Sequence, residues 1–80
     1  MLINPIFRFL KQHTMKITGE HLQFLRIIKK VKQPVLARKL GVGQQAISKL
    51  ENKSFIQEDR FQEYISALEL NREEAITILK

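Results

Sequence analysis

Residues 33–52, QPVLARKLGVGQQAISKLEN, keep a helical rhythm that breaks once, at Gly41-Val42-Gly43. Before the break, QPVLARKL reads as a two-turn helix. Pro34 sits in its first turn, where the missing N–H has no helical partner, and Gly41 supplies the positive φ that ends it. After the break Gly43 starts a second short helix. Its Ala46, Ile47 and Leu50 share one face, and Gln44, Gln45, Ser48, Lys49 and Asn52 share the opposite one. The chain is thereby held to two short helices meeting at a tight turn, with one face packed and a polar face offered outward. Leu36, Ala37, Leu40, Val42, Ile47 and Leu50 are expected to make the internal contacts, with small Ala37 where the two helices approach most closely.

The remaining elements also read as helices. Thr18 caps GEHLQFLRIIKKV, whose Glu20 lies near the positive end and whose Lys29, Lys30 and Lys32 lie near the negative end. SFIQED is a connector, and RFQEYISALEL then places Phe61, Tyr64, Ile65 and Leu68 at helical spacing. Asn71 caps REEAITILK, with two early glutamates at the helix start. The expectation is an all-α domain of five short helices over residues 18–80, preceded by a short N-terminal extension, residues 1–17. In the first helix Phe24, Ile27, Ile28 and Val31 form an apolar arc beyond Leu22 and Leu25, more than one packing face requires. Ile6, Phe7, Phe9 and Leu10 are expected to cover part of that arc, within the chain or across a dimer.

Eighty residues make one small domain, and no apolar run approaches the length of a membrane span. MLINPIFRFL lacks both a basic n-region and a small-residue cleavage site, so it does not read as a signal peptide. The absence of cysteine excludes a disulfide framework and thiolate zinc, and fits a cytoplasmic protein. His13 and His21 are too far apart for a helical metal pair. No nucleophile–base pair, phosphate-binding glycine loop or metal cluster is present, so neither an enzyme nor a cofactor is expected.

Charge is divided unevenly. Residues 1–53 hold eleven Lys/Arg against two Glu, whereas residues 54–80 hold three against six Asp/Glu. A basic half suits a polyanion, because each lysine near a phosphate releases a condensed counterion. Charge alone equally fits an anionic membrane, an acidic protein surface, or a solvated excess without a partner.

Two short helices joined by a three- or four-residue turn containing Gly form a helix-turn-helix, whose second helix fits the DNA major groove. On these residues the sequence resembles the lambda-repressor-like, Cro/repressor-type (Xre) family of DNA-binding domains. QPVLARKLGVGQQAISKLENK looks especially like the glutamine-rich phage repressors, and the resemblance covers roughly residues 18–80. It implies that Gln44, Gln45 and Lys49 face bases, that Gln33, Ser48, Asn52, Lys53 and Arg60 touch the DNA backbone, and that Arg26 and Glu51 form an internal ion pair. The chemistry agrees: glutamine pairs with adenine N6/N7 and lysine with guanine O6/N7, while Gln33 offers a phosphate both an amide and a helix N-terminus.

Departures from the family pattern are Lys32 and Gly43 in place of small polar caps, and Lys53 in place of the glycine after Glu51-Asn52. Lys53 fits poorly if that position needs positive φ. Phe55 and Ile56 either plug the core or form part of a dimer contact. The implied partners are double-stranded DNA and a second copy of the chain in a homodimer, with a repressor favoured over an activator. The competing reading is an antitoxin, which binds a toxin protein as well as its own promoter.

Overall fold

A computed structural model describes residues 16–80, and the described residues form helices without strands. The elements are α1 (Gly19–Ile28), α2 (Gln33–Leu40), α3 (Gln44–Glu51), α4 (Glu58–Ala67) and α5 (Arg72–Leu79). No helix among them is long and apolar enough to cross a membrane. The expected cover from Ile6, Phe7, Phe9 and Leu10 lies outside the described residues, as does His13.

Local chemistry starts α1 and α5. Thr18 Oγ1 accepts from the His21 N–H at 3.2 Å while His21 Nδ1 accepts from the Thr18 N–H at 3.0 Å, a reciprocal cap with histidine in the usual Glu/Gln position. Asn71 and Glu74 form the equivalent cap of α5 at 2.8 and 2.9 Å. Both pairs satisfy N–H groups that a helix start leaves without partners.

Two helices end earlier than their sequence rhythm suggests. The expected run through Val31 stops at Ile28, because Lys30 turns left-handed (φ 59°) and the Val31 N–H folds back onto the Arg26 carbonyl at 3.1 Å. Val31 thereby packs against the core instead of following the helix outward. In the same way α4 spans Glu58–Ala67 rather than residues 60–70. Glu69 is left-handed (φ 64°), and the Leu70 N–H returns to the Ile65 carbonyl at 2.9 Å. Gly41, at φ 71°, ends α2 as expected.

Ile17, Leu22, Leu25, Leu36, Ala37, Ile47, Ile56, Phe61, Tyr64, Ile65, Leu68 and Ala75 form one core shared by all five helices. Each fully buried large side chain contributes about 1.5–3 kcal/mol relative to exposure. α3 packs against α1 and α2, and α4 packs against α1, α2 and α5. Two expectations need correction. Val42 is 43% exposed rather than internal, because the turn carries it out between the two glycines. Phe55 and Ile56 part company: Ile56 is buried, and its N–H donates to the Ile17 carbonyl at 2.8 Å, while Phe55 stays outside with Lys16 Nζ 5.9 Å from its ring centre.

Gly19 has a role that sequence reasoning missed. A Cβ there would lie 2.5 Å from backbone atoms of Leu50 and Glu51, and the Gly19 N–H donates to the Lys53 carbonyl at 2.8 Å. α1 therefore begins in backbone contact with the end of α3.

Candidate nucleic-acid interface

α3 is built as a two-sided element. Ile47 and Glu51, one turn apart, are buried; Ala46, Ser48 and Leu50 are half-buried; Gln44, Gln45, Lys49 and Asn52 are exposed. The three residues expected to face bases, Gln44, Gln45 and Lys49, thus lie on the solvent side, whereas Ser48, expected to touch the DNA backbone, is partly withdrawn. Gly43 caps the helix without a side-chain hydrogen bond, and Lys49 in the last turn suits the negative end of the helix dipole.

The inner side is anchored by Glu51, whose side chain is 3% exposed. Its Oε2 accepts from Arg26 Nε at 2.6 Å and from the Tyr64 hydroxyl at 2.5 Å. Its Oε1 accepts from Arg26 Nη2 at 3.1 Å and from Gln33 Nε2 at 2.9 Å. Four donors from α1, α2 and α4 fill the roughly four acceptor sites of one carboxylate. The expected Arg26–Glu51 pair is therefore present, and Arg26 Nη1 also holds the Val31 carbonyl at 3.1 Å.

The electrostatics follow from this cage. Burial pushes the Glu51 carboxyl up, but the hydrogen bonds from Arg26, Tyr64 and Gln33 outweigh it and hold the group below its ordinary value. The hydrogen bond to Glu51 raises the Arg26 guanidinium against the effect of burial. Burial, and then the hydrogen bond to the Glu51 carboxylate, push the Tyr64 phenol far up. Sequence rhythm placed Tyr64 on a core face without assigning its hydroxyl. The available signal was that a buried phenol needs a partner.

Gln33 links this cage to the exposed face. Its Nε2 donates to Glu51 and its Oε1 accepts from Gln44 Nε2 at 3.2 Å. Two residues assigned to different tasks, backbone contact for Gln33 and base contact for Gln44, are thus hydrogen-bonded to one another.

The other expected backbone-contacting residues spread over the α3–α4 connection. Asn52 Nδ2 donates to the Ser48 carbonyl at 2.9 Å. The helix ends there with Asn52 at φ −102°, and Lys53 is not among the left-handed residues, so a lysine fits that position without backbone strain. Lys53 and Arg60 share a cleft of about 310 Å³ with Leu50, Phe55, Ile56 and Gln57. Arg60 lies in the first turn of α4, and its Nη1 is 3.0 Å from Glu63 Oε1, an exposed pair of small energetic weight. Among the described residues, no group of three His, Cys, Asp or Glu side chains is arranged to hold a metal ion.

Comparison of the chain with protein-family models, curated proteins and solved structures returns no match.

Proposed function

We propose that this chain is a sequence-specific double-stranded DNA-binding regulator of transcription, with α2, the Gly41–Gly43 turn and α3 acting as a lambda-repressor-like helix-turn-helix. The observation that carries the reading is the exposed row Gln44, Gln45 and Lys49 on a helix whose opposite face is anchored by Ile47 and Glu51. α3 enters the major groove, where amides read adenine and lysine reads guanine. Lys53, Arg60, Asn52 and the start of α2 meet the flanking phosphates, and the basic half of the chain supplies the salt-dependent affinity. The protein acts in the cytoplasm as a homodimer on a two-fold operator, with half-sites about one helical turn apart. A domain that occupies an operator represses by exclusion alone, whereas activation demands a further surface for polymerase. Repression is therefore the reading adopted.

Selection of bound sequences from a random duplex pool, repeated with the Gln44→Ala/Gln45→Ala variant, tests this. A palindromic winner whose adenines lose discrimination in the variant is the expected result. Binding that falls with salt yet selects no sequence overturns it.

One observation favours a second role. Phe24, Ile27 and Ile28 are 47–57% exposed on the side of α1 opposite the buried Leu22, Leu25 and Arg26. Such an apolar face suits a protein contact, as in the antitoxin reading. Loss of a bound protein partner in Phe24→Ser/Ile28→Ser with duplex affinity and solution mass unchanged supports a separate protein partner, whereas loss of duplex affinity together with a fall to monomer mass assigns the face to the dimer.

A further inference from the structure

Two apolar patches of opposite charge lie on helices that pack against each other, α1 and α5. On α1, Phe24, Ile27 and Ile28 are 47–57% exposed at i, i+3 and i+4 spacing, and exposed Lys29, Lys30 and Lys32 follow directly. The acidic residue of α1, Glu20, sits in the first turn at the far end. On α5, a cleft of about 460 Å³ is lined by Leu70, Glu73, Glu74, Thr77 and Ile78. Both glutamates are exposed in the first turn, and the neighbouring cation, Arg72, is held by Glu58 at 2.7 Å, so the rim is acidic.

These charges argue against either patch meeting its own copy. α1 on α1 sets lysines against lysines, and α5 on α5 sets glutamates against glutamates, an arrangement that rejects a partner. α1 on α5 joins opposite charges around two apolar surfaces. We propose that the α1 face of one copy docks into the α5 cleft of a second copy, which returns the same contact, so that a reciprocal two-fold interface forms. Phe24, Ile27 and Ile28 are the anchors of a helix laid in a groove, and the lysines after them meet Glu73 and Glu74. A stable interface buries roughly 800 Å² a side. Three half-exposed side chains fall short of that, whereas a two-fold axis makes each contact twice and uses both patches of both copies. The inference rests on the homodimer of the reading above and requires no DNA.

Sedimentation of the full chain without DNA, across a concentration series, tests the contact through charge reversal. Lys29→Glu/Lys32→Glu and Glu73→Lys change exposed residues. Each variant alone opposes like charges and is expected to raise the dimer dissociation constant about 10-fold or more. An equimolar mixture of the two is expected to regain the dimer, because every α1–α5 contact then joins opposite charges again. That recovery also shows both variants to be folded. A mixture that stays monomeric overturns the pairing of these two faces, and variants that dimerise as well as wild type remove both faces from the interface. A wild type that is monomeric throughout overturns the contact, while sequence selection from the duplex pool decides the DNA reading separately.

Discussion

Glu51→Ala is expected to bring the domain close to unfolding at 25 °C. Four hydrogen bonds end on the Glu51 carboxylate, and removing it strands Arg26, whose side chain is 11% exposed and cannot discharge itself by losing a proton. Arg26 keeps the Val31 carbonyl as a partner, while the buried Tyr64 hydroxyl loses its acceptor. Breaking a buried pair by removing one member costs about 3–5 kcal/mol. An unsatisfied hydroxyl costs about 1–3 kcal/mol, part of which water entering the vacated space restores. A domain of this size has a total stability of roughly 3–10 kcal/mol, so the loss is a large fraction of the whole. Urea unfolding followed by circular dichroism separates the terms. Tyr64→Phe, which removes one hydrogen bond to a charged acceptor, is expected to cost about 1.5–3 kcal/mol. Exposed Lys49→Ala is expected to stay within about 0.5 kcal/mol of wild type. Arg26→Met/Glu51→Leu should be more stable than Glu51→Ala, because no charge is left without a partner. If Glu51→Ala costs no more than Lys49→Ala, or if the double variant is the least stable of the set, the reasoning fails.

The same cage sets the acid response. Because the folded Glu51 carboxyl lies below its ordinary value, the unfolded chain binds more protons under acidic conditions. Stability from this group is thus present above the usual glutamate range and lost as pH falls through the depressed folded value. A urea midpoint that does not decline below that range refutes this. Glu58, lowered by Arg72, acts in the same direction but is half exposed, so Glu58→Gln should leave most of the acid loss in place. Lys30→Gly and Glu69→Gly relieve left-handed conformations and are each expected to raise stability by about 1 kcal/mol in thermal melts. Lower melting points in both would contradict the assigned helix ends. Gly19→Ala forces a methyl into the backbone of Leu50 and Glu51 and is expected to cost at least about 1–3 kcal/mol; an unchanged melt would rule out that close approach.

Residues that punctuate the chain made most of the fold legible. Pro34, Gly41 and Gly43 mark both ends of α2 and the start of α3, and the structure follows them there. Thr18 and Asn71 did the same for the starts of α1 and α5. The ends of α1 and α4 were overrun because Lys30 and Glu69 take the left-handed conformation without being glycine. Both are good helix formers, and their residue types signal continuation. What stops the helix is tertiary: Val31 and Leu70, one residue further on, pack against the core. That demand is visible only once the neighbouring helices are in place.

The candidate site divides along a similar line. The outward row of Gln44, Gln45 and Lys49 follows from spacing on one helix, and Glu51, four residues after Ile47, falls on the buried side by the same count. What spacing omits is convergence. Arg26, Gln33 and Tyr64 come from three other helices, and only the assembled core aims all three at one carboxylate. The resemblance made Glu51 the partner of one arginine, and Gln33 was assigned to a phosphate. With Tyr64 and Gln33 added, the acid becomes the point where the core and the exposed face meet. A change inside the core then reaches α3's outer surface through two hydrogen bonds, Glu51 to Gln33 and Gln33 to Gln44.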